Sequence, residues 1–263
     1  FGFWLLLALA LPHIGWAWRT APKGPRFAFL TSVLGVVLCI APGLVLDKSF
    51  HGIWIVVYTS LFALLHFVGS ELVRSCGGGR PLRTVGACGT IVMALALTYD
   101  GAWRSIGWPH YYGRGLTNVA VLHDFALALV LVAGMVALAV RAVRMGNAHR
   151  LVWIGAALLG VVCFAVANFV PGGDVAETVP VVAFNVYLFV LGVFLIGLGA
   201  RREQLGLMNF GLATLSILLI LRFFDADITF VLRGIAFIAV GAGFLIFNFI
   251  ASRRLNRQGR EIQ

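Results

Sequence analysis

Long apolar runs, separated by short clusters of Arg, Lys, Gly and Pro, set the pattern of this chain. A run of about 20 apolar residues, within a range of about 17 to 25, spans the hydrocarbon core of a bilayer when wound as a helix. Nine segments fit: 1–18, 27–46, 53–70, 84–99, 119–140, 151–170, 180–200, 205–221 and 230–251. The first is interrupted by Pro12 and His13, and the fourth is short. Backbone polar groups in hydrocarbon must be bonded within their own segment, which selects helix for each run. The pattern predicts an all-α, polytopic membrane protein, a single transmembrane helical domain over residues 1–263. The opening FGFWLLLALAL lacks Met and a basic leader, so it reads as part of a span whose upstream residues are missing.

Composition agrees. Hydrophobic residues make up 61% of the chain and charged ones only 11%, against roughly 25% charged in an ordinary soluble domain. Such a chain cannot cover itself with polar groups in water, and lipid must be its solvent. The net charge of +10 does not point to nucleic acid, because the cations lie in short loops and no soluble domain carries a basic stripe.

The positions of those cations choose an orientation. One set of alternate loops holds Arg19, Lys23, Arg26, Arg74, Arg80, Arg83, Arg141, Arg144, Arg150, Arg201, Arg202, Arg253, Arg254, Arg257 and Arg260. The other holds Lys48, Arg104, Arg114, Arg222 and Arg233. Basic loops face the cytoplasm, so the C-terminus is predicted inside and Phe1 outside. Most carboxylates lean to the outer side: Asp47, Asp100, Asp124, Asp174, Glu177, Asp225 and Asp227.

Four groups of polar residues are candidates for chemistry. The stretch LRFFDADITFVLRG, residues 221–234, clusters Arg222, Asp225, Asp227 and Arg233 at the tip of a hairpin. It reads as a turn whose charges balance one another, or as a solute or ion route with Arg233 paired inside the membrane edge. His123 and Asp124 stand near the outer end of the fifth span, as a capped helix end or a proton relay; on a helix they point about 100° apart. The connection 99–118 gathers Trp103, Trp108, His110, Tyr111 and Tyr112 with Arg104 and Arg114. It is read as an interfacial aromatic belt, with a lid that presents Arg104 and Arg114 to a phosphate or carboxylate as the sharper alternative. His66, deep in the third span, is a candidate because ionisable residues are costly there, although a neutral His bonded to a neighbouring helix explains it equally.

Asn168, Asn185, Asn209 and Asn248 are expected to bond between helices first and to touch substrate second. Pairs of small residues, Ala156 with Gly160 and Ala239 with Gly243, are expected to let helices approach closely. The outer His51, His110, His123, Asp47, Asp100, Asp124, Asp174 and Asp227 carry suitable atoms for a metal or an acid–base pair, but no ligand motif ties them together. Cys39, Cys76, Cys88 and Cys163 lack paired spacing, so neither a disulfide framework nor zinc is indicated. No metal and no cofactor is expected. CGGGRP, residues 76–81, lacks the Gly-Lys-Ser/Thr ending of a phosphate loop. The basic tail SRRLNRQGR reads as an anchor to anionic lipid headgroups.

The last two spans resemble the closing hairpin of a group of bacterial membrane proteins described as domain of unknown function 2157. The resemblance rests on Asn209, Gly211, Arg222, Phe223, Phe224, Asp225, Arg233, Gly234, Arg253 and Arg254, and covers roughly a fifth of the chain. Members carry a soluble N-terminal helical segment that is missing here, which with Phe1 outside implies a further span upstream. The resemblance implies a bacterial inner-membrane setting and no particular activity.

Three functions are compatible with this reading. A transporter or permease for a small or lipid-like solute leads, with His123, Asp124, Asp225 and Arg233 converging on an outward cavity. A non-catalytic scaffold or assembly subunit, bound to a membrane or periplasmic protein partner, is the alternative. An intramembrane enzyme acting on a lipid-linked substrate is the third, and catalysis is the less favoured reading.

Overall fold

A computed structural model describes residues 2–46, 52–76, 79–104, 106, 119–146, 148–169 and 173–225, with isolated positions between 234 and 245. Among the described residues every regular element is helical. In chain order these are α1 (Gly2–Thr20), α2 (Pro25–Val45), α3 (Ile53–Cys76), α4 (Arg80–Ala96) and a short α5 (Gly101–Arg104). After them come α6 (Val119–Arg144), a 3₁₀ segment (Ala148–Ile154) leading directly into α7 (Gly155–Phe169), α8 (Gly173–Arg201) and α9 (Leu205–Asp225). Each corresponds to an apolar run of the sequence, apart from the single turn of α5.

Six of these segments are long and apolar enough to cross a membrane: Pro25–Val45, Ile53–Ser75, Val121–Arg144, Arg150–Phe169, Glu177–Arg201 and Leu205–Phe223. The chain is thus a multi-pass membrane protein by the length and composition of its helices. Two expected spans are helices that are not among the six. Helix α4 has 17 residues, and α1 contains Pro12 with Arg19 in its last turn. Most of the expected span 230–251 falls outside the described residues.

Helix ends follow local chemistry. Pro25 begins α2 directly after Gly24, and Pro81 lies in the first turn of α4 after Gly79, where the missing proline N–H costs no helical bond. Basic residues occupy the last turns of α1, α3, α6, α8 and α9: Arg19, Arg74, Arg141 with Arg144, Arg201 and Arg222. Positive charge there offsets the negative end of the helix dipole.

The chain divides into two compact units, residues 1–187 and 188–263. In the first, α3 is the central helix. Buried residues fill 72% of its apolar window, against at most 44% in the other five candidate spans. It packs against α4 most extensively, and also against α6 and α7. Glycine makes the α3–α4 crossing close: a Cβ on Gly69 would overlap the Arg83 backbone, and one on Gly86 would overlap the backbone of His66. Ala156 and Gly160 behave as expected on α7. Ala156 is fully buried, and a Cβ on Gly160 would lie 2.6 Å from Thr59 Oγ1 of α3. Of the other expected small-residue pair, Ala239 lies outside the described residues, and a Cβ on Gly243 would meet open space.

The polar groups of this unit collect where lipid does not reach. Thr59, Ser60, His66 and Ser70 of α3 are buried, while the exposed positions of α2 and α6 include Phe29, Val36, Ile40, Leu44, Leu129 and Val130. Apolar side chains outside and polar ones inside suit a bundle whose solvent is hydrocarbon.

The second unit contains the end of α8 and all of α9. A Cβ on Gly199 would lie 2.6 Å from the Met208 backbone nitrogen, and one on Gly211 would lie 2.9 Å from that of Ile196. The turn between the helices uses Glu203 at φ 56°, with Gln204 N–H donating to Gly199 O across 2.9 Å. This closes the end of α8 as a left-handed cap does.

Candidate functional site

The described polar groups of the first unit gather at its two ends. Packing contacts fix which residues share an end. Ala128 of α6 lies in one cluster with Ile53, Val56 and Val57 of α3, and Leu131 joins Leu61 and Leu65 further along. The two helices therefore run in the same direction, and Asp124, one turn before Ala128, stands level with the head of α3. Helix α7 runs oppositely, since Gly160 meets Thr59 while Val161 and Phe164 join the cluster at Ile53. Asn168, one turn beyond Phe164, reaches the same level. Helix α4 is also antiparallel to α3 and delivers Thr98 there; Ile106 packs on Gly52, whose φ is +93°.

Thr98, Asp124 and Asn168 are all buried around the head of α3. Asp124 is only 1% exposed, and its Oδ1 lies 3.1 Å from His123 Nδ1, whose side chain is 39% exposed. With the carboxylate ionised, the imidazole N–H donates. Adjacent positions on a helix do point to different surroundings, one inward and one toward the surface, yet their side chains meet. A buried acid is thereby linked to a base that reaches the outside of the bundle.

Beside this group, Arg104 bonds to Asp100 and lies 3.8 Å from Glu177 Oε2 of α8. These are exposed ion pairs, worth little in stability, but they tie the turn after α4 to the start of α8. Trp103 departs from the aromatic-belt expectation. It is fully buried, donates from Nε1 to Leu97 O at 3.0 Å and stacks on Phe184 with ring centres 6.1 Å apart.

His66 belongs to the opposite half. Its Nδ1 lies 3.3 Å from Arg83 O of α4, and its ring stacks on Trp153 with centres 4.4 Å apart. Further along α3, Arg150 donates from Nη1 to Glu71 Oε1 at 2.6 Å, and Arg74 Nη1 lies 3.7 Å from the same oxygen. Tyr187 donates to Val152 O at 3.1 Å. The sequence reading did not single out Glu71, Arg150, Trp153 or Tyr187. A carboxylate among the cations of the basic loops, a feature Glu71 shares with Glu203 and Glu261, was the only signal for the first two.

Among the remaining candidates, Arg222 lies in the last turn of α9 in the second unit and is partly buried. Asp225 is the last residue of that helix. Asp227, Arg233 and His110 lie outside the described residues, as do His51, Asp47, Trp108, Tyr111, Tyr112, Arg114, Asn248 and the basic tail. Asn168 and Asn185 each donate to a carbonyl of their own helix, Phe164 O and Val181 O, both at 2.8 Å. Asn209 is exposed. No group of three metal-ligating side chains forms among the described residues.

No family model, curated protein or solved structure matches the chain.

Proposed function

We propose that this is a transporter or permease for a small or lipid-like solute, seated in a bacterial inner membrane, with its solute or ion route at the head of α3. The observation that carries this reading is the His123–Asp124 pair. Asp124 is buried at the head of a run that is apolar from Phe125 to Val140, and a carboxylate there is costly enough that its usual role is functional. Its bond to a partly exposed imidazole offers a path for a proton between the bundle interior and the surface, since an imidazole can accept a proton at one ring nitrogen and donate one from the other.

In this reading the chain crosses the membrane nine times, with α1, α4 and the segment 230–251 included, and its C-terminus lies in the cytoplasm. The division of basic residues between alternate loops supports that topology. The likeness of residues 209–254 to the domain of unknown function 2157 group supports a bacterial setting. On the sequence alone, the basic tail SRRLNRQGR is read as an anchor to anionic headgroups, and Arg222, Asp225, Asp227 and Arg233 as further candidates for the route.

The test is proton flux in proteoliposomes that contain the full chain and an internal pH dye. Defined pools of small solutes are added at a fixed pH gradient. At least one pool is expected to dissipate the gradient faster with the native protein than with Asp124→Asn. Identical traces for native protein, Asp124→Asn and protein-free liposomes across all pools would remove the transport reading.

A second reading, a non-catalytic scaffold, is favoured by one specific observation. Buried Thr59, Thr90 and Thr214 hydrogen-bond to backbone carbonyls of their own helices, as Asn168 and Asn185 do. Groups satisfied in that way orient and pack helices and need no solute. Stoichiometric co-purification of a membrane or periplasmic protein partner supports this reading.

A further inference from the structure

The end of the first unit opposite Asp124 carries a concentration of positive charge that the proposed solute route does not use. Ala17 of α1, Phe27 of α2 and Leu72 of α3 pack in one cluster, with Ile14 and Leu30 against it. That contact brings the α1–α2 turn beside the end of α3 and the start of α4. Arg19, Lys23, Arg26, Arg74, Arg80 and Arg83 are all exposed there. Among the described residues of α1 to α4, the single acidic side chain is Glu71, and it already bonds to Arg150 at 2.6 Å. No acidic residue stands in the first turn of α2 or α4. Six cations are thus grouped with almost nothing to neutralise them.

A second observation fixes the depth of this group. Trp16 and Trp18, in the last turns of α1, are 59% and 50% exposed. Exposed tryptophan at the end of an apolar helix belongs at the level of lipid headgroups, where the ring is apolar and the N–H is wet. Beyond them toward α2, Phe29 and Val33 are exposed to the hydrocarbon side. The arginines and Lys23 therefore lie in the headgroup layer. Arginine's planar fork of donors suits phosphate oxygens at that depth.

We infer that the end of α1 with the start of α2, and the end of α3 with the start of α4, form a docking surface for anionic phospholipid headgroups, with Arg74, Arg80 and Arg83 on one side and Arg19, Lys23 and Arg26 on the other. None of these residues belongs to the basic C-terminal tail, and the surface does not depend on the transport reading.

The experiment uses the full chain in micelles that contain equal amounts of phosphatidylcholine and phosphatidylglycerol, with retained lipid counted by native mass spectrometry. Phosphatidylglycerol is expected to be retained in preference to phosphatidylcholine. Each Arg→Gln change at Arg74, Arg80 or Arg83 is expected to weaken retention about fivefold, the factor that corresponds to roughly 1 kcal/mol per basic residue near an anionic surface. High salt should have the same direction of effect. The Arg→Lys variants should keep most of the retention, and unfolding in phosphatidylcholine alone should be unchanged in all variants. Equal retention of the two lipids, equal retention by native protein and the triple Arg→Gln variant, or displacement of the lipid by millimolar inorganic phosphate overturns the inference.

Discussion

Arg150 donates to Glu71 across 2.6 Å, and these residues join the last turns of α3 to the 3₁₀ segment before α7. The Arg150 side chain is only 14% exposed, so removing its partner leaves a poorly solvated cation. Glu71→Gln is expected to destabilise the protein by about 2 kcal/mol, in the range for a hydrogen bond to a charged group. Arg150→Gln should cost less, because Glu71 is more exposed and keeps Arg74 nearby at 3.7 Å. Thermal unfolding in detergent of both single variants and the double variant isolates the coupling. Additive effects would show that the pair is not an energetic link.

The His123–Asp124 pair leads to a functional expectation with little effect on fold. Asp124→Asn keeps the shape and removes the charge. It should reduce proton-coupled flux at least tenfold, while unfolding shifts by no more than about 2 kcal/mol, in keeping with a buried polar group whose partners can rearrange. His123→Gln, which preserves a hydrogen-bonding side chain without a titrating ring, should cause an intermediate loss. A large loss of flux with His123→Gln and none with Asp124→Asn contradicts the route as drawn.

The close α3–α4 crossing yields a paired stability test. A Cβ on Gly86 would lie 2.7 Å from Phe62 O and overlap the backbone of His66. Gly86→Ala gains about 1 kcal/mol in helix propensity, yet overpacking against backbone costs about 1–3 kcal/mol and cannot be relieved by a rotamer change. The net effect should be destabilising. At Gly134 the nearest atom to a Cβ is Leu64 Cδ2 at 3.4 Å, so Gly134→Ala should be neutral or stabilising. Measured side by side, the melting temperature of Gly86→Ala should fall while that of Gly134→Ala should hold or rise.

Much of the fold was legible because lipid imposes a simple rule on sequence. The apolar runs at 27–46, 53–70, 119–140, 180–200 and 205–221 all correspond to long helices, and the 151–170 run differs only in beginning as 3₁₀. What could not be read was which helix is central. Helix α3 contains Thr59, Ser60, His66 and Ser70, and that polarity was a hint, but burial depends on neighbours distant in sequence. The ion pair between Glu71 and Arg150 was hidden for the same reason, with 79 residues between the partners. His123 and Asp124 could be singled out because charge in an apolar run is conspicuous. The depth of Asp124 could not, since burial on α6 depends on helices distant in sequence, α3 among them. Trp103 misled in the other direction: a Trp beside Arg104 and Tyr99 looks interfacial, yet α5 turns it inward to stack on Phe184.

Trp103 can be tested by fluorescence. Its indole is fully buried and donates to Leu97 O, whereas Trp16 is exposed on the basic end of α1. Quenching by brominated lipid should spare Trp103 and reach Trp16. Trp103→Phe is expected to remove emission from the unquenched fraction and Trp16→Phe from the quenched fraction. Replacing the buried ring by alanine should cost about 3–5 kcal/mol, while Trp16→Ala should cost far less.

The orientation proposed from the basic loops can be tested at the two ends of the first unit. Lys23 lies in the turn that carries Arg19 and Arg26, and its side chain is exposed. Thr178 is exposed in α8 next to Glu177, which approaches Arg104, and so marks the opposite end. Retention of basic loops on the cytoplasmic side acts on short loops such as residues 21–24. In a background without native cysteines, Lys23→Cys should react with a membrane-impermeant maleimide only after the cells are permeabilised. Thr178→Cys should react in intact cells. The reverse pattern would turn the molecule over and place Asp124 and His123 on the cytoplasmic side, where the external proton would no longer reach them first.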